Sequence, residues 1–321
     1  MSLTQQSNGL FQSSGDLIAD RRYEMARAYR EGGDLISAVD LLEQTVERTP
    51  GFAAAWFALG ELREFDGDRD GAVVAFEQAL AANPQDRHGA GLRLRLLNVG
   101  GHAMSASYVR SVFDQYASKF DEALAALAYT APQMLADAVA EICREQGRPV
   151  RFATMLDLGC GTGLSGAAFR PVVDWMEGVD LSPGMVVQAR RKTLYDKLEA
   201  GDLTESLDRQ VRADARFNLI VAADVFVYCA DLTLIASLVY QVLAPEGLIA
   251  FTVETHDAGG IILGPKLRYA HGEAHVRAAL DAAGLTIRRL VTVSPRMEAD
   301  RPVPGLLVIA ERAPASPLSR R

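Results

Sequence analysis

Cysteine is scarce in this 321-residue chain, and Cys143, Cys160 and Cys229 stand far apart with no CxxC pair and no neighbouring Cys/His group. That spacing argues against a disulfide framework and against a zinc site, so no metal is expected, and it suits a reducing cytoplasm. Long apolar runs are missing too: 49% of the residues are hydrophobic, yet none of the runs approaches the ~18 that a membrane-spanning helix needs. The opening MSLTQQSNGLFQSSGD lacks the basic-then-apolar layout of a secretory signal and reads as a flexible tail. Positive charge is in deficit, with 33 Lys and Arg against 41 Asp and Glu and a net charge of −8, which disfavours a polyphosphate partner. A cytoplasmic protein follows, with neither membrane nor nucleic acid as partner, and its length fits about two domains.

The front of the chain repeats. Residues 19–52 and 53–86 align without a gap at an offset of 34, the period of tetratricopeptide helix pairs. Trp56, Leu59 and Gly60 stand as W-x-x-L-G, Gly67-Asp68 repeats Gly33-Asp34, Ala72 repeats Ala38, Phe76 follows Leu42, and Pro84 follows Pro50. Small residues let two helices approach, large ones fill the gaps, and proline ends each second helix. The segment resembles two tetratricopeptide repeats, with 87–97 as a third first helix or a cap. Two units are fewer than such arrays usually need, so this module reads either as a peptide-binding surface or as a structural or dimerising appendage, which leaves a homodimer open.

From residue 152 the pattern turns to short apolar runs separated by helical stretches, as in a parallel sheet wrapped by helices. Strands are expected near 152–158, 175–179, 198–200, 217–222, 248–253, 285–293 and 306–309, with helices near 185–193, 232–243 and 273–283 between strands. The first strand ends in DLGCGTG, residues 157–163, whose Gly159, Gly161 and Gly163 allow a tight turn and close approach to a ligand. Asp180 ends the second strand, placed to accept both hydroxyl protons of a ribose, and Asp202 follows the third in AGDL. Three acids at three strand ends suit a ligand with a cationic amino-acid end, a ribose and an adenine amine. A dinucleotide site is the rival, since GTGLSG at 161–166 fits G-x-G-x-x-G. Asp157 weighs against it, because a carboxylate there would repel a pyrophosphate.

DLGCGTG, then GVDLSPGM at 178–185, then AGDL at 200–203 resemble the class I S-adenosylmethionine-dependent methyltransferases over roughly residues 105–311. The resemblance implies a Rossmann-like α/β domain of seven strands, the last antiparallel. It follows a small all-α repeat domain, and the cofactor is S-adenosylmethionine with S-adenosylhomocysteine as product. It implies that Asp157 with the loop of Gly159, Cys160, Gly161 and Gly163 holds the methionine portion, Asp180 the ribose hydroxyls and Asp202 the adenine amine, with Leu181, Gly201 and Leu203 as further cofactor-binding positions. Met185 would pack near the adenine, and Ala222 lies at the rim after the fourth strand. The expected organisation is a tail at 1–18, repeats at 19–101, a helical lid or linker at 102–150, the cofactor-binding domain at 151–312 and a tail at 313–321.

Residues 107–132 carry Val109, Phe113, Tyr116 and Phe120 at helical spacing, a stripe that ordinarily means core. The segment also resembles the N-terminal lid of bacterial methyltransferases that carry tetratricopeptide repeats, which makes Tyr108, Phe113, Tyr116 and Tyr129 candidates to cover cofactor and substrate. After the fourth strand, VAADVFVYCADL presents Asp224 and Tyr228, without the N/D-P-P-Y/F tetrapeptide of amino-group methylases of bases and glutamine. Methyl transfer is an in-line displacement that needs a base only when the acceptor holds a proton. His256 and His271 are the candidate bases, each weighed against a plain hydrogen-bonded or surface histidine. Related enzymes carry a Tyr-x-His at the place of His271. Arg268 could pair with an acceptor carboxylate, against a solvated surface arginine. The expected function is methyl transfer to a small O- or N-acceptor. The alternatives are methylation of a protein recruited through the repeats, and a non-catalytic scaffold that binds the cofactor.

Overall fold

The structure is a computed structural model and describes residues 13–101 and 103–314; the parts of the expected tails at 1–12 and 315–321 lie outside the described residues. The chain divides into two compact units between Val112 and Phe113, later than the boundary expected at 101.

In the helical unit, α1 (Leu17–Glu31) and α2 (Leu35–Arg48) form one pair, α3 (Ala53–Asp66) and α4 (Arg69–Ala82) the next, and α5 (Ala90–Leu96) follows. Helix α1 starts inside the segment read as a tail, because the Asp16 carboxylate accepts from the backbone N–H groups of Ile18 and Ala19. Asp34 and Asp68 cap α2 and α4 in the same way, each after a glycine at φ 84°. Gly60 shows why the repeat needs a small residue: a Cβ there would lie 2.6 Å from the Phe76 ring. Tyr23, Leu42, Phe52 and Leu59 build one core, and Phe57, Phe76, Ala90 and Leu94 a second that joins α5 to the last pair.

In the α/β unit the sheet holds β1 (Phe152–Leu158), β2 (Val173–Asp180), β3 (Lys197–Ala200), β4 (Phe217–Ala222), β5 (Leu243–Glu254), β6 (Leu285–Val293) and β7 (Gly305–Arg312). They lie in the order β3-β2-β1-β4-β5-β7-β6, with β7 antiparallel to both neighbours. The Rossmann-like fold expected from the strand pattern is thus the fold observed. Successive residues of the central strands turn to opposite faces of the sheet, and both faces are buried. Leu156, Leu158, Ile249, Phe251, Leu306 and Val308 join the core beneath α11 (Leu203–Arg212), α12 (Thr233–Val242) and α13 (Glu273–Ala282). Met155, Leu219, Val221, Leu248, Leu307 and Ile309 face α8 (Ala131–Glu145) and α9 (Leu164–Phe169). Coverage on both faces is why these strands read as continuous apolar runs.

Three features were not foreseen. Helix α11 has only Leu203, Leu207 and Val211 as its apolar stripe, too thin a signal against its charged face. Short strands Ile261–Leu263 and Tyr269–His271 pair with one another, and Ala270 pairs with Glu254 at the end of β5. A two-residue ribbon joins Met297–Glu298 to Arg301–Pro302.

Candidate active site

The carboxyl ends of β1 and β2 bring the glycine loop and Asp180 together. Gly161 N–H donates to Asp180 Oδ2 at 2.8 Å and Ser182 N–H to Oδ1 at 2.8 Å, so each carboxylate oxygen keeps an acceptor direction free. Burial still outweighs those bonds and pushes the Asp180 carboxyl up to about 6. Gly159, at φ 66°, has no room for a side chain, since a Cβ would sit 2.5 Å from Val225. Asp157 is fully buried; its Oδ2 accepts from the Tyr195 hydroxyl at 2.6 Å, while its Oδ1 has no partner. Burial pushes its carboxyl up to about 7. A buried, unpaired carboxylate oxygen calls for a cation or a donor, and an amino-acid ammonium supplies both. These residues therefore fit the methionine end and the ribose of S-adenosylmethionine.

Asp202 has a second task that spacing did not reveal. Its Oδ1 caps α11, accepting from Thr204 N–H at 2.8 Å and Glu205 N–H at 3.2 Å. Gly201 and Leu203 flank it half-buried, as Leu181 does beyond Asp180. Met185 and Ala222 are completely buried. Cys160 is buried as well, and desolvation raises its thiol well above the ordinary value, which leaves it unreactive.

Residues 113–126 are bonded to the glycine loop through Thr162 and to residues 182–192. At the end of α6 (Ala106–Tyr116), Asp114 Oδ1 accepts from Ser182 Oγ at 2.5 Å and from Gly184 N–H at 3.0 Å. In α7 (Phe120–Ala126), Asp121 accepts from the Thr162 hydroxyl and pairs with Lys192 at 2.6 Å. Phe113 meets Phe120 and Tyr228 edge-on, with centroids 5.9 and 5.2 Å away. Tyr116 and Tyr129 are half-buried, and burial raises both phenols, Tyr129 strongly. Tyr108 belongs to the helical unit, where its buried ring lies against Gly89.

Beyond β4 and β5 lies an ionic network that sequence reasoning missed. Asp224, at φ 57°, shares two hydrogen bonds with Thr252, at 2.9 and 3.0 Å, and pairs with Arg296. Arg296 also pairs with Glu254 and, at 3.2 Å, with Glu298. Arg268 is neither solvated nor free for an acceptor: its side chain is 6% exposed and its guanidinium is held by Glu254 at 2.5 Å and Glu298 at 2.7 Å. Lys266 completes the set on Glu298.

The histidines depart from the expectation of a base. His271 is fully buried, its Nε2 lies 3.2 Å from the Phe226 carbonyl, and desolvation pushes it down to about 4. It stacks on His275 with centroids 5.6 Å apart, and its Nδ1 has no partner. A ring that resists protonation and sits in the core is a weak general base. His256 is half-buried with both ring nitrogens unpaired. Tyr228 is half-buried, and burial raises its phenol, so it donates rather than abstracts a proton at neutral pH. Among the described residues no three His, Cys, Asp or Glu side chains group as a metal ion requires.

Tyr195, Asp114, Asp121, Lys192, Glu254, Arg296 and Glu298 were not singled out from sequence. Asp114 and Asp121 each follow a phenylalanine in the aromatic stretch, a repeated Phe-Asp pair that marks them in hindsight. Arg296 and Glu298 lie beside a two-residue ribbon with no periodicity to read.

Comparison with known proteins agrees with this geometry. Residues 155–247 match the family described as a methyltransferase domain. Methyltransferase-like protein 27 of Homo sapiens is 32% identical over 149 residues, 46% of this chain and 58% of that protein. The malonyl-[acyl-carrier protein] O-methyltransferase of Serratia marcescens is 32% identical over 127 residues, 39% and 48% of the two chains. A TPR repeat-containing protein of Pseudomonas aeruginosa is 38% identical over 60 residues, 19% of this chain and 57% of that protein. The chain spans about half the length of these curated relatives. With the strand order, the glycine loop and the two buried carboxylates, the match identifies residues 155–247 as a methyltransferase domain of Rossmann-like fold, here preceded by tetratricopeptide-type helix pairs.

Proposed function

We propose that this chain is a cytoplasmic enzyme that transfers a methyl group from S-adenosylmethionine to a small acceptor through an oxygen or nitrogen nucleophile. The observation that carries the reading is the unpaired, fully buried Oδ1 of Asp157 next to a glycine loop anchored on Asp180. S-adenosylmethionine, when bound, supplies a methyl group activated by its sulfonium. Asp157 binds the ammonium of the methionine end. Asp180 accepts from the ribose hydroxyls, and the Asp202 carboxylate, capping α11 through Oδ1, offers Oδ2 to the adenine amine. Phe113, Tyr116, Tyr129 and Tyr228 exclude water, which favours moving charge from a sulfonium to the acceptor.

Among the described residues, His271, Tyr129 and Tyr228 are not poised as strong bases. The phenols of Tyr129 and Tyr228 stay protonated and orient the acceptor by donating. Asp224 is occupied by Arg296 and Thr252. This favours an acceptor that arrives with its own lone pair, such as a carboxylate or a neutral amine, aligned rather than deprotonated. A protein-borne acceptor held by the helix pairs is the second reading, supported by their tetratricopeptide-like packing.

Calorimetric titration of S-adenosylmethionine and S-adenosylhomocysteine into the full chain tests the cofactor. Asp180→Ala should weaken binding by about 1.5 to 3 kcal/mol, roughly ten- to hundredfold, through loss of a charged acceptor. Unchanged affinity would remove the ribose assignment, and a wild-type chain that binds neither compound would leave the scaffold reading.

A further inference from the structure

Tyr195 lies between α10 (Pro183–Arg191) and β3, outside every motif that points to the cofactor. Its ring occupies a slot cleared by three glycines. A Cβ at Gly163, Gly166 or Gly178 would come within 3.1, 2.6 or 2.9 Å of that ring. These glycines come from the loop, the first turn of α9 and β2, so three elements leave space for one side chain. The third glycine of GTGLSG, which invited a dinucleotide reading, is here a wall of the tyrosine slot. At the end of the slot the phenol donates to Asp157 Oδ2 at 2.6 Å and accepts from Gly166 N–H at 3.1 Å. With its donor and acceptor both engaged, the hydroxyl holds one orientation.

We infer that Tyr195 is a positioning residue for the cofactor's amino-acid end: its hydroxyl fixes Oδ2 of Asp157 and leaves Oδ1 as the oxygen turned to the ligand ammonium. The inference rests on the methyltransferase reading of the site. The groups bearing on Asp157 are Tyr195, Asp180 at the end of β2, Cys160 in the same loop and Tyr129. Of these, Tyr195 donates a hydrogen bond to it and favours the charged form, whereas Asp180 and burial oppose ionisation.

The test is the pH dependence of binding, read by calorimetry over roughly pH 5.5 to 8.5, with S-adenosylhomocysteine and 5′-methylthioadenosine as probes. The second shares the nucleoside and lacks the amino-acid end. In the wild type, affinity for S-adenosylhomocysteine should rise through the titration of Asp157 near pH 7, a step that methylthioadenosine lacks. Tyr195→Phe fills the slot without the hydroxyl. It should weaken S-adenosylhomocysteine roughly tenfold at neutral pH, move the midpoint up by about one unit and leave methylthioadenosine unchanged. Gly166→Ala, whose methyl would meet the ring, should do the same by displacing the phenol, and it decides the matter if the first variant does not fold. An unshifted midpoint, or equal weakening of both probes, would overturn the inference while leaving the cofactor site standing. A wild-type chain that binds neither probe would overturn both.

Discussion

At the scale of the residue, one group can look identical in sequence and opposite in function once its surroundings are known. His271 closes a Tyr-Ala-His stretch that reads as a site for a base, yet its ring is buried beneath the Phe226 carbonyl and against His275. Nothing in a single sequence reports desolvation, so the histidine reads as a base from its type and as a neutral core group from its place. Its folded value of about 4 lies below the ordinary 6.5, so the unfolded chain takes up a proton first as pH falls. Stability from this residue is intact above about pH 6.5 and drains away toward pH 4, about 3 kcal/mol in all. Asp157 and Asp180 act in the opposite sense, because their raised carboxyls hold protons that the unfolded chain has released. A variant comparison separates the two: the stability gap between wild type and His271→Leu, from urea unfolding, should move by about 2 kcal/mol in favour of the variant between pH 7 and pH 5. A constant gap would show that the ring is already solvated.

At the scale of the element, what the sequence revealed is what local spacing encodes. Strand β4 falls on the residues expected, since it is a largely apolar run bounded by polar turns. The glycine loop and Asp180 are equally legible, because a motif of seven residues and one acid at a strand end are short-range patterns. The ion network is not, because Asp224, Glu254, Arg268, Arg296 and Glu298 come from four separated stretches and meet only when the sheet closes. Arg296 is its hub, 5% exposed at the side chain and shared by three carboxylates. Arg296→Ala should therefore cost about 3 to 5 kcal/mol, because it strands buried charge rather than deleting a surface pair. Chemical denaturation measures it, and a loss under 1 kcal/mol would mean that water reaches these acids. Arg296→Met should cost less than Arg296→Ala, since it keeps the packing of the stem.

At the scale of the whole molecule, the two units have separate cores, one of helix pairs and one built on the two faces of a sheet. The 34-residue offset and the strand-to-helix alternation made both legible, while the division at Val112, within α6, was hidden because a continuous helix carries no break in composition. Separate cores mean that a perturbation and a ligand can be aimed at different units. Gly60→Val drives a branched side chain into the Phe76 ring, and overpacking of that kind costs typically 1 to 3 kcal/mol, here about 2. Saturating S-adenosylhomocysteine, at about a hundred times its dissociation constant, stabilises the unit that binds it by about 2.7 kcal/mol. Scanning calorimetry should then find that Gly60→Val lowers the melting of the helical unit while the ligand raises that of the α/β unit, each leaving the other transition in place. If Gly60→Val abolished the ligand-induced shift, the helix pairs would be part of the cofactor site itself, and the roles assigned to Asp157 and Asp180 would not suffice to hold it.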